Sequence, residues 1–247
     1  MPDKRQHRGP HPEDAAAFAP EFLPRLQAAV SDLCWLLTHG YAEKSASTLV
    51  GDRYSLTERQ RMAVRRCACS DEDLTERGRK EVPLGEIAGA AIELDGFNVL
   101  TTIEAALAGG VILAARDGCY RDLASMHSSF RHVVETPAAI VLLGRALADW
   151  RVGPVLWYLD RPVSNSGRLQ QLILKLATAE HWDWRVELAP NPDAVLSASA
   201  EIVATADSII LNRCARWFNL ARAVVSRHIG DARVFTACPN HVSSFPT

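Results

Sequence analysis

Four aspartates in the C-terminal half of the chain have the type and spacing to form one chemical site. Asp95, Asp160 and Asp207 each end or closely follow a short apolar run, and Asp193 lies just past another such run. If these runs are neighbouring parallel strands, the aspartates converge at the carboxyl ends of the strands, where such sheets bind ligands. Carboxylates this close repel one another unless a cation lies among them, and oxygen ligands favour Mg²⁺ or Mn²⁺. A site of this kind activates water and binds a phosphodiester.

Each aspartate taken alone also has an explanation without chemistry. Asp is a common N-cap and turn residue, and connections from strand to helix favour it. Four acids predicted at the same edge of one sheet are harder to explain as unrelated caps, and both interpretations stay open at this point.

Two polar segments near these acids are candidates for binding a substrate phosphate. Residues 116–122 form a dense polar segment between apolar runs, for which the alternative is a solvated turn and helix start. Residues 161–168 open a helix whose free N–H groups can hold an anion, for which the alternative is ordinary helix capping. The candidate side chains are Arg116, Arg121, Arg161, Ser164 and Asn165.

The elements that would position these residues alternate between strands and helices. Apolar extended runs predict strands at 91–95, 155–159, 184–188, 201–205 and 233–236. The spacing of apolar residues predicts helices at 168–179 and 213–227. This alternation with short links predicts a three-layer α/β/α fold with a mainly parallel sheet.

A small all-helical domain is predicted to precede this fold. Residues 1–20 lack apolar periodicity and are predicted to form a flexible tail. Residues 21–82 are predicted to form the helical domain, and residues 90–240 the α/β domain. The predicted helices cover residues 23–37, 42–50 and 56–69, with a fourth starting at Ser70.

The third predicted helix combines a start signal with a row of basic residues. Ser55 and Glu58 have the spacing of a capping box. The helix carries Arg59, Arg61, Arg65 and Arg66. A solvated charged face is favoured over a nucleic-acid-binding face because acidic residues flank the arginines.

Composition and missing motifs exclude several function classes. The 247-residue chain is 48% hydrophobic and has a formal net charge of −2, which argues against non-specific nucleic-acid binding by a polycationic surface. No apolar run approaches the length of a membrane span, and the N-terminus lacks the apolar core of a signal peptide. Six cysteines without C-x-x-C spacing predict a reducing cytoplasm. The lack of a G-x-G-x-x-G motif argues against a nicotinamide or flavin cofactor. The sequence is compatible with a homo-oligomer but does not determine the oligomeric state.

The segment 92–100, with its Asp-Gly-Phe-Asn stretch, resembles the opening strand and loop of PIN-like nucleases of the NYN type. The stretch around Thr205 and Asp207 resembles a later acidic strand of the same superfamily, and Asp160 and Asp193 fit its other acidic positions. The resemblance spans roughly residues 90–238. The whole chain also resembles an uncharacterised prokaryotic family that joins a helical N-terminal domain to a PIN-like domain.

This resemblance implies RNA as the substrate and the four aspartates as ligands of one or two Mg²⁺ or Mn²⁺ ions. Asn98 and Thr205 would orient ligands, water or phosphate. We therefore expect a metal-dependent phosphodiesterase, specifically a ribonuclease. The first alternative is a non-catalytic module that binds nucleic acid or protein, which is favoured by the lone Asp193 where the superfamily has an acid pair. The second is a small-molecule phosphatase or nucleotide hydrolase, against which the lack of a second Asp after Asp95 argues.

Overall fold

The N-terminal part of the chain is helical, and the remainder alternates between strands and helices. The computed structural model describes residues 7–123, 130, 132–236 and 238. The helices are α1 (Asp14–Ala17), α2 (Leu23–Thr38), α3 (Glu43–Arg53), α4 (Glu58–Cys67), α5 (Asp71–Lys80), α6 (Gly96–Leu107), α7 (Thr136–Asp149), α8 (Ser166–Ala179), α9 (Pro192–Ser197), α10 (Ser208–Arg213) and α11 (Leu220–His228). The strands are β1 (Ile92–Asp95), β2 (Ile112–Ala114), β3 (Tyr120–Asp122), β4 (Val155–Asp160), β5 (Trp184–Ala189), β6 (Ile202–Ala204), β7 (Arg216–Phe218) and β8 (Val234–Thr236).

Five of these strands form one parallel sheet in the order β5-β4-β1-β6-β7. One face packs against α6, α7, α8 and α11, and the other packs against α9 and α10. The predicted three-layer α/β/α fold with a preceding helical region is therefore confirmed. The strand order reverses beside β1, and such a switch point opens a crevice at the carboxyl ends of the strands.

The central strands of this sheet are short and buried on both faces, as is typical of parallel sheets. All three residues of β6 are buried, and Trp157 and Leu159 of β4 are fully enclosed. Helix α6 begins directly after β1, and Gly96 permits this close packing. A Cβ atom on Gly96 would lie 2.5 Å from Cδ2 of Leu159 and 2.8 Å from the carbonyl oxygen of Tyr158.

A second, three-stranded sheet has the order β3-β2-β8. Strands β2 and β3 form an antiparallel hairpin, and β8 pairs parallel to β2. Leu113 of β2 shares a hydrophobic core with Leu26, Leu33 and Val64 of the N-terminal helices. The hairpin therefore follows α6 in the chain and packs against the helical region. Within the described residues, no helix is both long and apolar enough to cross a membrane.

Most of the predicted elements are present, but two local predictions are wrong. The capping box of α4 consists of Thr57 and Gln60 rather than Ser55 and Glu58. The Thr57 hydroxyl accepts a hydrogen bond from the Gln60 amide, and the Gln60 side chain accepts one from the Thr57 amide. Ser55 has a φ of 46° and lies before the helix, in the turn that connects it to α3.

The predicted helix at 213–227 is the second error, because strand β7 interrupts it. Trp217 pairs with Val203 of β6, and its indole N–H donates to the carbonyl oxygen of Arg77 at 2.8 Å. These tertiary contacts outweigh the helical spacing of the apolar residues. The last predicted strand exists as β8, but it belongs to the second sheet.

Candidate active site

Asp95 is the last residue of β1 and lies at the switch point of the parallel sheet. Its side chain is buried, with 8% of the residue exposed. The Thr205 hydroxyl donates to Oδ2 of Asp95 at 2.7 Å. Asp95 precedes α6, yet its carboxylate makes no capping hydrogen bond with that helix. Helix capping therefore does not explain why an acid is buried here.

The loop after β6 lies beside Asp95 and is tied to the start of α6. The Asn98 side-chain oxygen accepts a hydrogen bond from the Ala206 amide at 2.8 Å. The Thr205 hydroxyl, which donates to Asp95, also accepts from the Asp207 amide at 3.0 Å. Asn98 and Thr205 thus fix the backbone that carries Asp207 next to β1.

Asp207 does cap a helix, because its Oδ1 atom accepts from the Ile209 and Ile210 amides at the start of α10. These capping bonds use only one of its two carboxylate oxygens. Asp193 lies in the first turn of α9 and is exposed, while the cap of that helix is supplied by Asn191. The capping alternative therefore accounts for Asp207 alone among these acids.

The four aspartates interact electrostatically at this edge of the sheet. Burial, together with the charges of Asp207, Asp193 and Asp160, raises the pKa of Asp95 to about 7, against the lowering effect of the Thr205 hydrogen bond. Burial and the charge of Asp193 raise the pKa of Asp160, and burial and the charge of Asp207 raise that of Asp193. Neighbouring carboxylate charges thus help to raise the pKa values of Asp95, Asp160 and Asp193, and a cation bound among them would relieve this repulsion.

No three potential metal ligands within the described residues lie close enough together to hold an ion directly. The chemistry of the donors still suits Mg²⁺, which keeps several water ligands and commonly uses one or two protein carboxylates. Asp95 and the free oxygen of Asp207 are such donors. The buried, charge-crowded carboxylate of Asp95 is the group that a cation would stabilise most.

A cleft of about 640 Å³ opens over these acids. One wall is the edge of the parallel sheet, with Asp95, Asn98, Asp193 and Asp207. The opposite wall comes from the N-terminal helices α2, α3, α4 and α5. Its lining from these helices includes Leu33, Leu37, Arg65, Arg66, Asp73 and Arg77. The helical region therefore covers the acidic edge, and a ligand at Asp95 would contact both parts of the chain.

A network of buried ion pairs lies beside the cleft. Asp117, in the turn between β2 and β3, bonds to Arg77 at 2.5 Å and to Arg121 at 2.7 Å. Burial alone would raise the pKa of Asp117, but the two guanidinium groups lower it to about 2. Arg121 also donates from Nε to the carbonyl oxygen of Ala206 at 2.8 Å. Arg121 thus lines the cleft but is committed to holding the loop that carries Asp207.

The other predicted phosphate-binding residues do not line the cleft. Arg116 pairs with Asp71 and donates to the Cys69 carbonyl oxygen. Arg161 donates to the Leu188 carbonyl oxygen at 2.9 Å. The Ser164 carbonyl oxygen accepts from the Phe130 amide, and the Asn165 side chain donates to the Phe130 carbonyl oxygen. Asp160 ends β4 and acts on the site through its charge, without lining the cleft.

Two features of the site have no local signal in the sequence. The Arg77–Asp117 pair joins residues 40 positions apart, and no local pattern signals it. Arg65 is one of four arginines on the predicted charged face of α4, and nothing in that pattern indicates that it lines the cleft. Its position depends on how the helical region packs against the sheet, which a single sequence does not reveal.

Comparison with known proteins identifies the family of the chain. Residues 84–223 match the family described as a domain of unknown function (DUF5616), and residues 25–80 match a protein of unknown function (DUF434). The first match covers more than half of the chain, which therefore belongs to the DUF5616 family. Uncharacterized protein MJ0935 from Methanocaldococcus jannaschii is 32% identical over 186 residues, which cover 75% of this chain and 88% of the relative. No solved structure matches the chain.

Proposed function

We propose that this member of the DUF5616 family is a metal-dependent phosphodiesterase that acts on RNA. The observation that carries the proposal is the buried carboxylate of Asp95, which lies at the sheet switch point among three further aspartates and faces an open cleft. A buried acid with a perturbed pKa in a cleft is typical of a functional site. The resemblance of segment 92–100 to NYN-type PIN-like nucleases supports the choice of RNA.

In this proposal, Asp95, Asp193 and Asp207 would hold Mg²⁺ or Mn²⁺ with the help of water, and Asp160 would add negative charge nearby. An ion held there would supply an activated water and would offset the charge that develops on the phosphate. Thr205 holds the Asp95 carboxylate in one orientation through its 2.7 Å hydrogen bond. Asn98 holds the 205–207 loop against α6, which keeps Asp207 in place.

The compartment belongs to the proposal as well. All six cysteines are free, and five of them are buried. Disulfides are rare in reducing compartments. We propose a cytoplasmic location, which these free thiols support.

The test is RNA cleavage by the Asp95→Asn variant. We expect the wild-type chain to cleave labelled RNA when Mg²⁺ or Mn²⁺ is present, and the variant to lose about 100-fold or more of this rate while its circular dichroism spectrum is unchanged. Asp231→Asn, at an exposed turn outside the cleft, is the control for the loss of one acid. Full cleavage by Asp95→Asn, or by the wild type in EDTA, would refute the proposal.

One observation favours a second candidate, a non-catalytic module that binds nucleic acid or protein. In the described parts of the chain, no group of three or more His, Cys, Asp or Glu residues is arranged to hold a metal ion. Calorimetric titration with Mn²⁺ separates the two candidates. Binding that Asp95→Asn abolishes supports the phosphodiesterase, whereas no binding at millimolar Mn²⁺ supports the module.

A further inference from the structure

The four arginines of α4 have different environments. Three of them are paired: Arg59 with Asp14 at 2.6 Å, Arg61 with Asp52 at 2.7 Å, and Arg66 with Asp122 at 3.7 Å. Arg65 is exposed and has no hydrogen bond or ion pair with any residue that the structure describes. It is also an arginine of the cleft lining, so its guanidinium group is available to a ligand in the cleft.

The other arginines of the lining are already committed. Arg77 and Arg121 are buried against Asp117, and Arg66 donates to the Asp122 carbonyl oxygen. The cleft lining contains these three arginines and Arg65, together with six acidic residues, so acidic side chains outnumber basic ones. A polyanion that approached the acidic wall would therefore need a cation on the opposite wall, and Arg65 is the arginine that can bind it without breaking an ion pair between described residues.

We propose that Arg65 binds a backbone phosphate of the nucleic acid in the cleft, so that the helical region contributes directly to substrate binding. This inference rests on the proposed function, since it assumes that the ligand of the acidic edge is a phosphodiester. A guanidinium group remains charged at any physiological pH and can donate two parallel hydrogen bonds to one phosphate. Arg65 would hold the strand while the sheet edge acts on a neighbouring phosphodiester.

A structural role for Arg65 is the competing explanation. The residue lies in the last turn of α4, where a positive charge also stabilises the helix dipole. A purely structural role predicts a change in stability with no change in nucleic-acid affinity. The two roles are therefore separable by measuring both quantities.

The experiment measures binding of a fluorescein-labelled single-stranded RNA by fluorescence polarisation, with Mg²⁺ present. Asp95→Asn serves as the reference protein so that cleavage does not consume the probe. Onto it we place Arg65→Glu, Arg65→Gln and Arg65→Lys, with Arg227→Glu as the matched control. Arg227 is an exposed residue of α11 that does not line the cleft. Thermal melting of each variant shows whether the fold is intact.

We expect Arg65→Glu to weaken RNA binding by about tenfold or more. Arg65→Gln and Arg65→Lys should weaken it by smaller factors, and Arg65→Lys should retain more affinity than Arg65→Gln because it keeps the charge and loses only the second parallel hydrogen bond. The salt dependence of binding should fall by about one phosphate contact in Arg65→Gln, and Arg227→Glu should bind like the reference. Equal affinities of Arg65→Glu and Arg227→Glu would overturn the inference, as would no RNA binding by the reference at about 100 μM. Arg65-dependent binding without cleavage by the wild type would refute the proposed function and leave the role of Arg65 intact.

Discussion

The charge of Asp95 should reduce the stability of the protein when no metal is bound. Asp95 is buried, and its pKa is raised from the ordinary value of 3.8 to about 7. Below pH 3.8 the carboxyl is protonated in both the folded and unfolded states, so its titration does not change the free energy of unfolding. Between pH 3.8 and 7 only the folded state holds the proton, so stability falls as the pH rises. Above pH 7 the full penalty is present.

The size of this penalty follows from the difference between the two pKa values. At about 1.4 kcal/mol per pH unit, the difference corresponds to about 4 kcal/mol at alkaline pH. Asp95→Asn removes the charge but keeps an oxygen that can accept the Thr205 hydrogen bond. We therefore expect the variant to be about 2 to 4 kcal/mol more stable than the wild type at pH 8.5, a rise in Tm on the order of 10 °C.

The assay is urea unfolding followed by circular dichroism at pH 4.5 and pH 8.5, in EDTA. The gain in the free energy of unfolding of Asp95→Asn over the wild type should be large at pH 8.5 and small at pH 4.5. Asp231→Asn, at an exposed turn, should show no comparable gain at either pH. Added Mn²⁺ should then stabilise the wild type more than the variant, because it binds the folded state through Asp95.

Two outcomes would refute this reasoning. If Asp95→Asn is less stable than the wild type at pH 8.5 in EDTA, favourable interactions stabilise the ionised carboxylate, and the Asp95 charge does not destabilise the folded state. If the gain in stability is the same at both pH values, the change acts through packing or hydrogen bonding, and titration of Asp95 plays no part.

Two further predictions concern the framework of the site and are tested by urea unfolding. Gly96→Ala should destabilise the fold by about 1 to 3 kcal/mol, because its Cβ atom would lie 2.5 and 2.8 Å from atoms of Leu159 and Tyr158 in β4. Gly167→Ala is the control, because a Cβ atom there meets nothing within 4 Å and should leave the stability unharmed. Equal stabilities of these two variants would contradict the close packing of α6 on β4. Asp117→Asn should destabilise by about 3 to 5 kcal/mol, because two buried arginines lose their counter-charge. Asp52→Asn breaks a surface pair and should cost under about 1 kcal/mol, so similar losses in the two variants would argue against a structural role for the buried network.

The parallel sheet could be predicted because its strands carry their own local signal. The runs that became β1, β4, β5 and β6 are apolar and end in turn residues, and the helix after β4 has clear apolar spacing. The sequence does not predict the hairpin of β2 and β3, although Asp117-Gly118 lies in its turn with a φ of 80° at Gly118. Each of its strands has only three residues, which is too short for alternation to be read.

The site divides in the same way between local and tertiary information. Asp95 and Asp207 could be assigned to one sheet edge because Asp95 ends β1 and Asp207 lies three residues after β6, and the parallel fold fixes the direction of both strands. The role of Arg121 could not be assigned, because its partners Asp117 and Ala206 come together only through the docking of the hairpin on the sheet. A charged residue in a polar segment looks the same in the sequence whether it faces solvent or is buried in an ion pair.

The buried network also bears on how the two family segments of the chain relate. Arg77 lies in the segment 25–80, whereas Asp117 and Arg121 lie in the segment 84–223. Arg77 bonds to Asp117, Asp117 to Arg121, and Arg121 to the backbone of the loop that carries Asp207. A continuous chain of buried polar contacts thus links the helical region to the acidic edge. Since breaking such a chain leaves buried charges uncompensated, the helical region is a structural part of the site, and removing it would disturb the loop at Asp207 as well as uncover the cleft.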